Sequence, residues 1–458
     1  MTRYLRRRNL LAGAAALAGV ATAGFLPGTA AGATRTRPGA ASPPDLGVSD
    51  WPVIARVSAE RALQHLKHLS DWLRPRVGGT GEEHEAAEYM ADVLRRLQYR
   101  VELQPFPAPD KYLADLRIPD GRMLQSGASP EGTFEMGVTG HVVDAGRGDS
   151  ADFPPDVRGK LVLFDHVGVD SLAKVRSAVA GGARAVLMVA RSSNPERKAG
   201  AFTPRFRESF PIPILGLAQY HGEVAREYLG QGGLWLWLST FHFHNLTSYN
   251  VIAERPATRS RGDGRVVMVT AHYDAVPGSP GANDDGSGTV LCLELARVLR
   301  LLPTRRAVRF ALWGSEEQGL LGSRHYVNQL DDAGARRIAG CFQNDMVATS
   351  HPPANTYWLL SLDGGRNATT DAVAAAARRL GYTQAHGPAR RGASDHVPFH
   401  QRGIPAGNFS WRGEGGPHQL EPLYHTPEDT IAANISPQRL QVSLELIGCA
   451  AYNLARQH

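Results

Sequence analysis

The sequence predicts an α/β fold, with a mixed central β-sheet flanked by helices and a smaller α/β unit inserted into it. Three observations carry this expectation. First, VVMVTAHYD ending at Asp274, AVRFALWGSEE ending at Glu317 and GCFQNDM ending at Met346 are apolar, β-branched or aromatic runs. Each breaks into a polar or glycine-rich loop, which reads as a buried strand. Second, HEAAEYMADVLRRLQ and TVLCLELARVLRLL have the length and apolar periodicity of amphipathic helices, each with one solvent face. Third, between residues 107 and 245 the pattern changes to a separate succession of short strands and a helix.

The elements follow in chain order. RALQHLKHLSDWL and HEAAEYMADVLRRLQ read as amphipathic helices, and RVELQPF as a strand opening the main sheet. Within the insertion, VRGKLVLFDH is a strand, SLAKVRSAVAGGA a helix, and RAVLMVA and PIPILGL are strands. TSYNVIAERP, from Thr247, resumes the main sheet. Residues 51–107 and 246–458 thus form the main domain, and 108–245 the insertion. Pro280 to Gly288 is a glycine-rich turn opening onto TVLCLELARVLRLL, whose amino end is expected to hold Asp284.

The amino terminus reads as an export signal. RRRNLL precedes the soft apolar run AGAAALAGVATAGFL and the Ala31-Gly32-Ala33 cleavage pattern, so residues 1–33 are expected to be removed. Arg7-Arg8 followed by Leu10-Leu11 resembles a twin-arginine signal, which implies an extracellular protein with no stable membrane anchor after cleavage. Residues 34–50 are rich in Pro, Gly and Ala and are expected to form a disordered leader. The formal charge is +6, but Arg3, Arg6, Arg7 and Arg8 lie in the signal, and the remainder carries +2. No Lys/Arg cluster with interleaved aromatics supports nucleic-acid binding. Cys292, Cys341 and Cys449 are too few for a disulfide scaffold and sit in apolar patterns, as buried thiols do.

The chemistry gathers at the strand ends. His272 and Asp274 (AHYD), Asp284 (GANDDGSG), Glu316 and Glu317 (WGSEEQGLLGS), Asp345 (QNDM) and His425 (YHTPEDT) fall at strand-to-loop junctions or in loops. Imidazole and carboxylate without thiolate suit zinc, and more often a catalytic than a structural site. Two metals held close together can activate one water, so a hydrolase is the first expectation. Asp274 suits the carboxylate that fixes a ligating imidazole's tautomer. Adjacent Glu316 and Glu317 point different ways, so one can bind metal while the other faces water. Singly, HxD is commonly a polar pair and EE a helix-start preference; together, in this order, they describe a metal site. His242 and His244, in TFHFHN, also have ligand-like spacing, but with no carboxylate nearby they read as the polar face of a strand.

Taken together, these residues resemble the co-catalytic di-zinc aminopeptidases of the secreted bacterial type. Relatives of that family include glutamate carboxypeptidase and the transferrin-receptor ectodomain. The resemblance runs from RVGGTGEEHEAAEYMADVL at Arg76 to YHTPEDT. It implies a di-zinc exopeptidase fold and two Zn²⁺ per chain, replaceable by Co²⁺ or Mn²⁺, with calcium dependence left open. His272 and Asp345 would bind one ion, Glu317 and His425 the other, and Asp284 would bridge them. Glu316 would be the general base and Asp274 the orienter of His272. GASDHVPF, with Asp395 and His396, resembles a segment lining the family's substrate pocket. The order of elements in the insertion resembles a protease-associated domain, expected to govern access. The resemblance further implies a monomer that acts on the amino-terminal bond of peptides.

Three alternatives stand beside this reading. A glutamate-carboxypeptidase-like enzyme would carry a long helical domain after the last ligand, whereas only 33 residues follow His425. A glutaminyl-cyclase-like acyltransferase shares the fold but typically uses one zinc. A transferrin-receptor-like binding protein would have lost ligands, and all five are present here.

Overall fold

The computed structural model describes residues 45–149, 153–167, 170–193, 198–260, 262–382 and 386–457. The expected export signal and most of the expected leader lie outside the described residues. The end of that leader is not loose. Asp45 N donates to Arg379 O, and fully buried Asp50 receives Arg379 Nε and Nη2 at 2.8 and 3.0 Å. The packed chain therefore begins ahead of residue 51, because a buried carboxylate paired with arginine anchors it.

Eight strands form the main sheet, in the order Arg100–Ala108, Leu246–Arg255, Ala307–Trp313, Val266–His272, Ile338–Asn344, Ala406–Arg412, Thr356–Ser361 and His386–Arg390. The four strands from Ala307–Trp313 to Ala406–Arg412 run parallel. The first two pairings and the one between Ala406–Arg412 and Thr356–Ser361 are antiparallel. RVELQPF, expected to open the sheet, is its edge strand. Register brings the carboxyl ends level, with His272 beside Trp313 and Asn344 beside Phe409.

Both faces of the sheet are covered. Val267, Val269 and Ala271 pack into the larger core with helices Gly81–Arg96, Gly288–Leu299, Ala368–Leu380 and Pro437–Arg456. Val266 and Met268, on the opposite face by the period-two rule, meet Tyr326, Val327, Ala335 and Phe399. The helix Gly288–Leu299, expected to be amphipathic, is buried at every position except Arg297. It lies between the sheet and the long final helix, so it has no solvent face to which polar residues would be assigned. No described helix is long and apolar enough to cross a membrane.

The insertion forms a closed seven-stranded barrel from residues 111–243. Leu161 and Leu163 point to its inner cluster, and Val162 and Phe164 to the cluster under helix Ser171–Ala180. His242, read as having no nearby carboxylate, in fact lies 2.8 Å from Asp110 Oδ2. The barrel also touches the main domain near the strand ends. Gln125 Nε2 donates to Pro277 O at 2.5 Å and to His425 O at 3.4 Å. A Cβ on Gly200 would lie 2.8 Å from His425 O, so only glycine permits that approach.

Candidate metal centre

Each functional side chain is set by the end of a parallel strand or by the loop that follows it. His272 is the last residue of its strand and is 1% exposed. Its Nε2 lies 3.3 Å from Asp284 Oδ1, and its Nδ1 lies 3.5 Å from Asp274 Oδ1. Asp274, expected to orient His272, also holds the glutamate pair: its two oxygens accept the N–H groups of Glu316 at 2.8 Å and Glu317 at 3.2 Å.

Glu316 and Glu317 occupy a short 3₁₀ turn entered through Ser315, whose φ of +53° is left-handed. Buried Glu83 stabilises this entry, accepting Ser315 N–H at 3.0 Å and the Ser248 hydroxyl at 2.7 Å. Asp284 lies ahead of the helix expected to hold it, in the turn Ala282–Ser287, where its own backbone is not helical. Asp429 holds that turn by accepting the N–H groups of Asn283 at 2.9 Å and Asp284 at 3.0 Å. His425 arrives on the loop before the last two helices, with φ +61° and its ring stacked on Tyr424. Its Nε2 is 3.0 Å from Asp284 Oδ2 and 3.1 Å from Glu317 Oε2.

These side chains fall into three overlapping groups: Asp284, Glu317 and His425; His272, Asp285 and Asp345; and His272, Glu316 and Glu317. Within each, the ligand atoms lie within 4.8 Å of one another. The first group contains three of the expected ligands. The second unites His272 with Asp345, as expected, and adds Asp285, which the sequence reading passed over. The donor set fits zinc. Zn–N and Zn–O bonds of about 2.0–2.1 Å in a tetrahedron place neighbouring ligand atoms about 3.3 Å apart, close to the 3.0–3.3 Å separations around Asp284. Asp285 Oδ2 and Glu317 Oε1 are buried without hydrogen-bond partners among the described residues, and His425 Nε2 and Asp284 Oδ2 face each other at 3.0 Å without hydrogen-bond geometry. Buried polar atoms are nearly always paired, so open acceptors aimed at a common point indicate a cation.

The electrostatics agree. Burial raises the Glu316 and Asp285 carboxyls well above the usual range, and raises Glu317 as well, with neighbouring carboxylates adding to the effect. Burial pulls His272 and His425 down, yet the surrounding carboxylates carry both well above the ordinary imidazole value. Burial also raises Asp429 to about 7 and Glu83 to about 8. Arg76 is a buried cation of the region. Its guanidinium donates to Tyr273 O at 2.6 Å, to Pro280 O at 2.9 Å and to Gly281 O at 2.9 Å, clamping the His272 and Asp284 loops together.

Asp395 and His396 do not line an open pocket. Both are fully buried behind the site: Asp395 accepts from Ser323 Oγ and Gln343 Nε2, and His396 Nε2 bonds Arg391 O. The open cleft, about 390 Å³, runs between Ser192, Ser193 and Lys198–Ala201 of the barrel and Val276, Tyr424 and His425 of the main domain. Arg76, Glu83 and Asp429 were missed although they sit in RVGGTGEE and YHTPEDT. A charged residue within an otherwise glycine- or turn-rich motif was the available signal.

This fold and site define a metallopeptidase built on an α/β sheet with an inserted barrel. Residues 250–450 match the model of peptidase family M28, and residues 138–224 match the PA domain. The chain is similar to aminopeptidase YwaD of Bacillus subtilis, with 37% identity over 87% of this chain and 85% of that protein. It is also similar to the probable lipoprotein aminopeptidase LpqL of Mycobacterium tuberculosis, at 31% identity over 82% and 81%. Among solved structures, it resembles BSAP, a zinc aminopeptidase from Bacillus subtilis, at 34% identity and TM-score 0.65, covering 88% of this chain and 96% of that one. The chain belongs to peptidase family M28, the co-catalytic zinc aminopeptidases, and carries an inserted PA domain.

Proposed function

We propose that the protein is an exported aminopeptidase that removes the amino-terminal residue of peptides, holding two zinc ions. The observation that supports this most is the meeting of two imidazoles and several buried, unpartnered carboxylate oxygens at the ends of parallel strands. His272 and Asp345 would hold one ion, Glu317 and His425 the other, with Asp284 as the ligand shared between them. Zinc in this place supplies Lewis acidity toward a carbonyl oxygen and lowers the pKa of water.

The protein's own residues supply the rest. Glu316 takes the proton of the attacking water on its carboxylate and returns it to the leaving amine. Asp274 keeps Glu316 in place through its backbone N–H and stands beside His272 Nδ1. The surplus of carboxylates around Glu316 and Asp345 suits the substrate's α-ammonium. The barrel narrows the cleft over His425, which favours an extended chain end over a folded protein segment. Export rests on the amino-terminal signal pattern, and action as a monomer is part of the same proposal.

Elemental analysis of the mature chain tests the metal count. The expected result is two zinc-class ions, with activity lost on chelation and restored by Zn²⁺ or Co²⁺. Active protein holding one ion or none would remove the two-metal reading and leave the glutaminyl-cyclase-like alternative.

A further inference from the structure

Beside the acidic centre lies a smaller buried cluster of opposite charge. Asn408, Ser410 and Arg412 alternate along the strand Ala406–Arg412, so their side chains leave the same face. Trp411 leaves the other face and donates to Ser443 Oγ at 2.9 Å. Arg412 is 1% exposed, and its Nε and Nη1 have no hydrogen-bond partner among the described residues. Half-buried Arg391 has an unpartnered Nε. Arg391 Nη1 lies 3.1 Å from His418 Nδ1.

Ser410, on the same face and two positions before Arg412, donates its hydroxyl to Asp345 O at 2.5 Å, so the cluster adjoins the metal centre. Burial brings the Arg412 guanidinium down to about 10, and neighbouring Arg391 pulls it the same way, while Asp345, Tyr424 and Asp284 oppose them. The group therefore stays cationic at neutral pH. Tyr424 also lines the open cleft, which places the cluster next to the route a substrate takes. A buried guanidinium with open donors is costly, and an apolar side chain brought against it would leave those donors unmet. A carboxylate meets them, because its two oxygens accept parallel N–H bonds from the guanidinium fork.

We propose that Arg412, with Arg391, forms a specificity subsite for a substrate carboxylate, the side chain of an amino-terminal glutamyl or aspartyl residue. The assignment rests on the aminopeptidase reading above. The same chemistry could be offered by the α-carboxylate at a peptide's other end, so the test separates the two sources.

The measurement compares kcat/KM of the zinc-loaded enzyme on α-glutamyl, glutaminyl and leucyl anilides, and on an amino-blocked peptide ending in glutamate. Glutamyl and glutaminyl groups share a shape, so their ratio reports charge. The expected ratio favours glutamyl by roughly 10–100-fold, the worth of a hydrogen bond to a charged group. Arg412→Met should bring it towards one, and Arg391→Gln should lower it in part. Leucyl cleavage with a glutamyl-to-glutaminyl ratio near one in the unaltered enzyme overturns the subsite and spares the aminopeptidase reading. So does an unchanged ratio in folded, metal-loaded Arg412→Met; if that variant does not fold, Arg391→Gln and the unaltered ratio decide. Cleavage of the blocked peptide alone moves the carboxylate to the substrate's carboxyl end and overturns both.

Discussion

The barrel and the end of the main sheet treat charge in opposite ways. In the barrel, acids meet arginines: Asp165 lies 2.8 Å from Arg191, and Asp144 lies 2.8 Å from Arg226. Lys174 is likewise satisfied, donating to the carbonyls of Arg147 at 2.5 Å and Val167 at 2.8 Å. At the sheet end, Asp284, Asp285, Glu316, Glu317 and Asp345 gather around two imidazoles, with buried Arg76 and Arg412 nearby, and several oxygens stay open. Charge cancelled within the chain makes a scaffold; charge left open waits for a ligand.

The sharpest way to break this comparison is to remove one negative charge at a time from the open end. Glu316→Gln should keep both ions while kcat falls by roughly 10²–10⁴, the contribution of a positioned acid–base group. Glu317→Gln should instead lose an ion, with activity partly recovered in excess metal. A neutral amide fills a base's space without disturbing a cation, but it does not match an anionic ligand. Metal titration read beside kcat separates the two, and loss of metal from Glu316→Gln alone would invert the assignment.

A smaller effect is expected one step back from the ligands. The Asp429 carboxylate accepts from the backbone N–H groups of Asn283 and Asp284 and from Asn434 Nδ2 at 2.8 Å, and its carbonyl accepts from Ala282 N–H at 3.0 Å. Asp429→Ala frees the Asp284 turn, and zinc affinity should weaken by roughly 10–100-fold, as for other residues that orient ligands. Competition against a calibrated chelator measures this. An affinity equal to that of the unaltered protein would show that Arg76 and the helices hold the turn without Asp429.

The contrast also explains what was legible in the sequence. A candidate ligand at the end of an apolar run announces itself, because the run marks the strand and the break marks its carboxyl end; His272, Glu317 and Asp345 are candidates of that kind. Groups that act across the chain leave no local period. Arg76 grips carbonyls about 200 positions away, and Glu83 caps a turn more than 200 positions on. Asp285 was overlooked because its neighbour had already been given the bridging role. The solvent face assigned to helix Gly288–Leu299 failed for a related reason: coverage by Pro437–Arg456 is a tertiary fact. The contact of the barrel with the His425 loop is the clearest case, since nothing in Gln125 or Gly200 marks either as a neighbour of a ligand.

That contact carries the smallest prediction. If the barrel only covered the cleft, its removal would alter access and nothing else. Yet Gln125 Nε2 bonds Pro277 O and reaches His425 O, and Gly200 passes close to the same carbonyl. His425 stands in a left-handed backbone conformation that a histidine adopts at some cost, so outside support matters there. Gln125→Ala removes that support and leaves every ligand in place. One neutral hydrogen bond is worth about 0.5–1.5 kcal/mol, or about 2- to 10-fold in affinity. The expected result is a weakening of that size for the ion held by His425, with the other ion unaffected and KM for a short anilide little changed. A variant in which KM moves while both metal affinities stay fixed would return the barrel to the role of a cover.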